Sequence, residues 1–259
     1  MQTATKIVIL LSLLTLSPLL TANGAMTVVY GADYKPFAWG DEQQAFGIQK
    51  DFIEAVLEKE MGLAVKHEAC PWARCQILVK QGLKDAFFTV STLERSEYTK
   101  SSTLPFYQTH FLMHTREGNP NIPKLEQVSS LEDLESLSSI RHIYMLGSGW
   151  HDNKLKNMQL INRLKDATKI PLMLELGRAD LYIEQEEMFR YQAKELGVSR
   201  SMRTLTFPVM QVMNWHLFIG KKSPYLSLLP EINQTLKRLH ESGELENIKR
   251  RIFKQYEID

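Results

Sequence analysis

The first half of the chain alternates between short apolar segments and longer amphipathic ones. Three segments, MTVVYG, LAVKHEAC and DAFFTV, have the apolar or alternating pattern of buried strands. Between them lie two segments in which apolar side chains recur on one helix face, and they end at Gly62 and Gly82, as helices commonly do. The polar and aromatic residues 32–47 predict a loop. This βαβαβ order predicts parallel strands joined by crossover helices.

A second, smaller alternating unit follows. LEDLESL predicts a short helix and RHIYMLG a strand, whereas the pattern of WHDNKLKNMQLINRLKDA (residues 150–167) predicts one helix. TKIPLMLELG is compatible with a strand or a short helix, ADLYIEQ predicts a strand, and EEMFRYQAKELG predicts a helix. The chain ends in two predicted helices, which are separated at Ser242-Gly243.

Two apolar, strand-like stretches connect these units: Tyr107–Pro120 and Thr206–Gly220. The chain therefore enters the second unit and returns, and paired extended connections of this kind form a hinge between lobes. We expect an α/β protein of two lobes, each a mostly parallel sheet flanked by helices. Lobe 1 would comprise residues 26–112 and 217–259, and lobe 2 the inserted residues 113–216. The cleft between the lobes is the expected ligand site.

The first 25 residues predict a cleavable signal peptide. Lys6 precedes an apolar run of about 14 residues, Ile7–Leu20, and a small polar tail follows it. This run is shorter than the roughly 20 residues that a membrane-spanning helix needs. We expect cleavage within residues 22–25, with a retained N-terminal anchor as the alternative. No cysteine follows the run to carry a lipid, so the mature chain is expected to be free in the periplasm.

The chain has only two cysteines, Cys70 and Cys75. In an exported protein this pair predicts a structural disulfide, because disulfides persist in oxidising compartments. Four intervening residues across a strand-to-helix bend can bring the two Cα atoms within the required 4.4–6.8 Å. Two free thiols are the alternative, and a metal site is a weaker one, since two thiols supply only half of a zinc ligand set.

Composition and charge narrow the class of partner. The chain has 31 basic and 30 acidic side chains, and the leader contains Lys6 and no acidic residue. Such a balance offers neither a nucleic-acid-binding nor a membrane-binding face. No motif for a cofactor or a metal is present, so we expect neither. We expect a monomer that binds a small molecule.

Four stretches then resemble one family. They are GADYKPFAW with FGIQKDFIEAV, PWARCQILVKQGLKDAFF, STLERSEYTKSSTLPFY and GRADLYIEQ, and the ending HESGELENIKRRI is similar as well. In this order and spacing they resemble the periplasmic solute-binding proteins of the amino-acid type, family 3, which serve ABC transporters. The resemblance implies the type II periplasmic-binding fold, capture of a small polar ligand, and a membrane permease as partner.

The resemblance places a carboxylate-binding arginine at Arg95. A guanidinium suits this role because its planar fork can donate two parallel hydrogen bonds to a carboxylate. The alternative is a surface arginine that pairs with Glu94 or Glu97. Three hydroxyl residues nearby could contact the same carboxylate: Thr89, Ser91 and Thr92.

The resemblance also implies aromatic walls for the ligand. Tyr34 and Trp72 match positions that sandwich the ligand in the family, although each could instead cover the core. Arg74 is a second candidate for binding an anion, with a side chain that reaches solvent as the alternative, and Phe37 is expected in the core. Phe88 stands where the family usually has a glycine, which implies a narrowed or reshaped pocket.

In the second unit, a turn of Gly147, Ser148 and Gly149 precedes a predicted helix, and backbone N–H groups in such a turn favour an anion. The amine-binding aspartate of the family would fall at Gln185, which cannot neutralise an ammonium. Either Glu184 substitutes for it or the ligand has no α-ammonium group. Asp180 is expected to be structural.

Three functions remain open at this point. The first is capture of an amino acid or related carboxylate for an ABC-type transporter, without catalysis. The second is an exported enzyme on the same scaffold, similar to cyclohexadienyl dehydratase, with Glu184 or Glu187 as general acid. The third is a ligand sensor for a membrane receptor. No nucleophile elbow, metal triad or cofactor loop supports an enzyme.

Overall fold

The structure, a computed structural model, describes residues 24–146, 148–207 and 212–258. The predicted leader up to Asn23 lies outside these residues, as does Gly147 of the predicted turn. Among the described residues, no helix is both long enough and apolar enough to cross a membrane.

Strands and helices alternate along most of the chain. The strands are β1 (Met26–Gly31), β2 (Asp33–Tyr34), β3 (Ala38–Gly40), β4 (Ala45–Phe46), β5 (Val65–Cys70), β6 (Ala86–Thr89), β7 (Thr99–Ser101), β8 (Tyr107–Arg116), β9 (Arg141–Met145), β10 (Leu160–Leu164), β11 (Tyr182–Gln185), β12 (Met202–Leu205) and β13 (Val212–Gly220). The helices are α1 (Ile48–Ile53, continued by a π-helix, Glu54–Glu60), α2 (Trp72–Gln81), α3 (Leu93–Tyr98), α4 (Ile122–Leu125), α5 (Leu131–Ser136), α6 (Gly149–Lys154), α7 (Ile170–Glu175), α8 (Glu186–Glu195), α9 (Leu229–Glu241) and α10 (Glu244–Gln255).

The largest sheet has the strand order β11-β8-β13-β6-β1-β5, with β12 pairing to β8 and β7 to β13. Strand β1 is parallel to both β5 and β6, which confirms the predicted βαβαβ unit. The two connecting stretches form the long strands β8 and β13. They pair antiparallel where Tyr107 to His110 face Val212 to Trp215, and each strand then continues into one of the two units. This is the predicted two-strand hinge.

Separate hydrophobic clusters fill the two units. Around β1, one cluster packs α1, α9 and α10 on one face of the sheet, and another packs α2 on the opposite face. Side chains such as Phe52 and Phe87 are fully buried there, and each contributes about 1.5–3 kcal/mol. Two further clusters, which include Ile183 and Tyr144, lie in the second unit. The two-lobed α/β fold is thereby confirmed.

The prediction of one helix over residues 150–167 was wrong. Helix α6 ends at Lys154, and Leu160–Leu164 instead forms β10, which pairs parallel with β9. The strand is held by its neighbour: the Arg163 side chain donates from Nε to the Tyr144 hydroxyl at 2.8 Å. The segment has too few apolar positions to distinguish a helical repeat from the alternation of a strand. Pairing with the edge strand β9 then decides its structure.

The predicted loop over residues 32–47 also contains more structure than expected. Strands β2, β3 and β4 form a small antiparallel sheet there. Its last turn is closed by Asp41, whose carboxylate accepts the backbone N–H groups of Gln43 and Gln44 at 2.8 and 3.0 Å. These strands are only two or three residues long, too short to produce a readable alternation.

The predicted disulfide is formed between Cys70 and Cys75, whose Cα atoms are 5.7 Å apart. Cys70 is the last residue of β5, and Cys75 lies in α2. The bond therefore holds the start of α2, including Trp72, against the carboxyl end of the strand. Gly82 ends α2 in the left-handed conformation, with φ of +82°, as the sequence predicted.

Candidate functional site

A cavity of about 580 Å³ lies beyond the carboxyl ends of β1, β5 and β6. Parallel strands bring these ends to one edge of the sheet, where ligands of α/β proteins commonly bind. The volume is within the usual range for small-molecule sites. The polar and charged side chains that line it are Asp33, Gln49, Thr89 and Arg95, and the aromatic ones are Tyr34, Trp72, Phe88 and Trp215.

The Arg95 guanidinium is held in place from three sides. Its Nη1 donates to the Val90 carbonyl at 2.8 Å, and its Nε donates to the Gln76 side-chain oxygen at 3.1 Å. Its central carbon lies 5.2 Å from the centre of the Trp72 ring, a cation–π distance. The backbone is fixed as well, because Thr92 caps α3 by accepting the Arg95 N–H at 3.3 Å.

Arg95 has no carboxylate partner among the residues that the structure describes. The ion pairs with Glu94 or Glu97 that the sequence left open are not formed. Partial burial lowers the pKa of Arg95, but a guanidinium stays charged at any physiological pH. The cavity therefore contains a fixed positive charge with unused N–H donors.

Thr89 extends this polar edge. It is the last residue of β6, it lines the cavity, and it is only 7% exposed. Its hydroxyl makes no hydrogen bond within the described chain. The Thr89 hydroxyl and the remaining N–H groups of Arg95 line the same cavity, and both are donors that suit the oxygens of an anion.

Aromatic rings form the other walls. Tyr34 stacks on Phe37 with ring centres 5.2 Å apart, and Phe37 is fully buried, as predicted. Phe88 and Trp215 lie almost parallel, 6.4 Å between centres. Both are buried, so the large side chain at Phe88 belongs to the packed floor of the cavity. A ligand body in this space would meet aromatic surface on several sides.

Gln185 belongs to a buried chain of hydrogen bonds that links the two units. The Trp215 indole N–H donates to the Thr109 hydroxyl at 3.0 Å, which donates to the Gln185 side-chain oxygen at 2.6 Å. The Gln185 amide then donates to the Tyr34 hydroxyl at 2.9 Å. Burial raises the pKa of Tyr34, so this hydroxyl keeps its own proton to donate.

Glu184 is also engaged within the protein. Its carboxylate accepts the Tyr182 hydroxyl at 2.9 Å and the Gln185 backbone N–H at 2.8 Å. Burial raises the pKa of this carboxyl. Neither Glu184 nor Gln185 lines the cavity.

The remaining predicted site residues also lie outside the cavity lining. Arg74 is 58% exposed and pairs with Glu42 at 2.7 Å. Ser91 and Thr92 are exposed, and Thr92 caps a helix. The Ser148 hydroxyl bonds to His151 Nδ1 at 2.7 Å, next to Gly149, where α6 begins. Asp180 is structural as predicted, because it accepts the Arg141 guanidinium at 2.8 Å.

Sequence reasoning missed the aromatic wall residue Trp215 and two polar residues that line the cavity, Asp33 and Gln49. Asp33 is exposed, directly before Tyr34, and Gln49 is buried in the first turn of α1. Both lie inside the stretches that carried the family resemblance, which was the available signal. No described group of three or more His, Cys, Asp or Glu side chains is arranged to hold a metal ion.

Comparison with known proteins agrees with this two-lobed α/β fold and identifies the family. Residues 26–255 match the profile of the bacterial extracellular solute-binding proteins, family 3, and the chain belongs to that family. No curated protein matches the sequence significantly.

Solved structures with the same fold are numerous and distant in sequence. An ancestral cationic amino acid solute-binding protein is 22% identical, with a TM-score of 0.70 over 89% of this chain and 96% of that one. An amino acid ABC transporter substrate-binding protein from Streptococcus pneumoniae, bound to L-arginine, is 20% identical, with a TM-score of 0.62 over 90% and 96%. A histidine kinase sensor domain with similarity to periplasmic binding proteins is 16% identical, with a TM-score of 0.63 over 88% and 95%.

Proposed function

We propose that this protein captures a small carboxylate, an amino acid or a related compound, in the cavity beside Arg95. The observation that carries the proposal is the Arg95 guanidinium: it is fixed by three contacts, faces the cavity, and has no carboxylate partner in the described chain. Half-buried charges are normally paired in proteins, because an unpaired one loses hydration without compensation. A carboxylate ligand supplies the missing partner.

The rest of the cavity fits such a ligand. The Thr89 hydroxyl can donate to a carboxylate held by Arg95, while Trp72 and Tyr34 offer ring faces to the ligand body. Residues 26–112 with 217–259, and residues 113–216, are proposed as the two lobes that close over it. The turn at Ser148 and Gly149 would then approach from the second lobe.

We place this capture in the periplasm, after removal of the leader, and expect a monomer that delivers its ligand to the membrane permease of an ABC transporter. The family name describes extracellular solute-binding proteins, and one structural neighbour is the substrate-binding protein of an amino acid ABC transporter. The neighbour from a histidine kinase sensor supports sensing as the alternative use of the same binding event.

An enzyme is the second candidate, favoured by one observation. Burial raises the pKa of Glu187 to about 7, a value that suits a general acid near neutral pH. However, Glu187 does not line the cavity, so a ligand beside Arg95 would not meet it in this arrangement. Turnover of prephenate by the purified protein, lost in Glu187→Gln, would favour the enzyme over the binding protein.

The binding proposal is tested by identifying what the protein holds. Mature protein is purified and denatured, and the released small molecules are identified by mass spectrometry. Arg95→Gln should release none of the compound that the wild type releases, whereas Arg178→Gln, which removes an exposed arginine outside the cavity, should release it fully. Equal release from Arg95→Gln and wild type would contradict the proposed site.

A further inference from the structure

Gln49 is a buried amide that faces the cavity without a partner. It lies in the first turn of α1, it is 3% exposed, and it lines the cavity. Neither its side-chain oxygen nor its NH₂ group forms a hydrogen bond with any residue that the structure describes. A buried amide normally has a partner, because desolvation without one is unfavourable. In this position the partner comes from the cavity, either water or a polar group of a bound ligand.

The backbone holds Gln49 in this orientation. Its N–H donates to the Phe37 carbonyl at 2.9 Å, and the Ile48 N–H donates to the Pro36 carbonyl at 3.1 Å. Gly47 makes this close approach possible: its φ is +112°, and a Cβ there would lie 2.5 Å from the Phe37 oxygen. Helix α1 is thus anchored at its start, which keeps residue 49 at the wall of the cavity.

The charged side chains next to Gln49 in the sequence bind other groups of the protein. The Lys50 ammonium pairs with Glu54, and the Asp51 carboxylate accepts the Tyr256 hydroxyl at 2.6 Å. Asp33 lines the cavity, but it is exposed, and solvent screens its attraction for a ligand cation. A charged ligand group beside Gln49 would therefore be buried without a close counter-ion, which is unfavourable. An apolar group would leave the amide unpaired.

We propose that Gln49 is a specificity-determining residue that selects a ligand with an uncharged hydrogen-bonding group, an amide or a hydroxyl, in addition to its carboxylate. This inference rests on the proposed function, in which Arg95 binds the carboxylate. Glutamine can both donate to and accept from such a group. A site built to pair a buried polar group discriminates strongly against ligands that lack the matching group.

Isothermal titration calorimetry with three matched probes tests this inference. The probes are L-glutamine, L-arginine and L-norleucine, each used also as its counterpart without the α-amino group: 4-carbamoylbutanoate, 5-guanidinopentanoate and hexanoate. The proteins are wild type, Gln49→Glu, Gln49→Met and the control Gln127→Glu, which adds the same charge at an exposed position outside the cavity. Circular dichroism and melting temperature check that each variant is folded.

Wild type and Gln127→Glu should bind the amide probe at least tenfold more tightly than the cationic and apolar ones. Gln49→Glu should reverse this preference toward the cationic probe, and Gln49→Met toward the apolar one, each by at least tenfold. An unchanged ranking in folded Gln49 variants, or a wild type that prefers the cationic or apolar probe, would overturn the inference.

The two proposals fail in different ways. If the probes bind and Arg95→Gln abolishes their binding while the Gln49 variants leave the ranking unchanged, the selection by Gln49 is refuted and the carboxylate site stands. If the probes bind equally well to Arg95→Gln, the carboxylate site is refuted. If no probe binds to wild type, both proposals are overturned.

Discussion

Replacing Glu187 by glutamine is expected to stabilise the protein at pH 8 and to leave its stability nearly unchanged at pH 4. Glu187 lies in the first turn of α8, is 9% exposed, and its Oε2 has no hydrogen-bond partner among the described residues. Burial raises the pKa of this carboxyl to about 7, with a smaller contribution from the negative charge of Glu186. A hydrogen bond from the Glu187 backbone N–H, and the positive charges of Lys249 and Arg190, lower the pKa and only in part offset the burial.

The size of the effect follows from the two pKa values. The ordinary pKa of the group is 4.5 and the folded-state value is about 7, and each pKa unit corresponds to 1.36 kcal/mol. Below pH 4.5 the Glu187 carboxyl is protonated in both the folded and the unfolded chain, so its ionisation does not change the free energy of unfolding. Between pH 4.5 and 7 only the unfolded chain loses the proton, and the free energy of unfolding falls by about 3 kcal/mol. Above pH 7 this penalty is complete.

Urea unfolding of wild type and Glu187→Gln, at several pH values from 4 to 8 and without ligand, measures this difference directly. The variant should be more stable at pH 8 by up to about 3 kcal/mol, or about 6–12 °C in melting temperature for a chain of this size. Glu195→Gln removes an exposed carboxylate from the same helix and should show no such pH-dependent gain. If the stability of wild type and Glu187→Gln changed with pH in the same way, the assignment of a desolvated carboxyl without a counter-ion would be refuted.

Two further predictions concern Trp72 and the disulfide. Trp72→Leu should weaken carboxylate binding about tenfold in calorimetry, because Arg95 loses the ring that it stacks on, a contact worth about 0.5–2 kcal/mol; unchanged affinity would show that the ring does not support the site. Breaking the bond between Cys70 and Cys75, by reduction or by replacing both with serine, should lower the free energy of unfolding by about 2 kcal/mol, the value for a loop this short. An unchanged melting temperature would contradict a stabilising disulfide.

Most of the fold was accessible from periodicity because its elements have one buried face or are buried throughout. Strand β1 and helix α2, for example, were predicted within a residue of their observed bounds. Strand β10 was not, because what makes it a strand is pairing with β9, 15 or more residues earlier in the chain. Local sequence does not report such a partner.

The sequence located site residues where a family motif marked their positions. It could not tell whether a given side chain points into the cavity. Trp72 and Arg74 are two residues apart on α2, so they point to different sides of the helix, one to the cavity and one to Glu42. Gln49 carries no periodic signal of its own. Its importance comes from the turn at Gly47 that buries it, which is a property of the folded backbone.

The central claim is that Arg95 binds the ligand through a carboxylate. The most direct measurement compares the affinity of the compound released from the purified protein with that of its carboxamide derivative, in wild type and in Arg95→Gln. Wild type should prefer the carboxylate at least tenfold, since charge-assisted hydrogen bonds contribute about 1.5–3 kcal/mol, and Arg95→Gln should lose that preference. Equal affinities in wild type, or an unchanged preference in Arg95→Gln, would contradict the account.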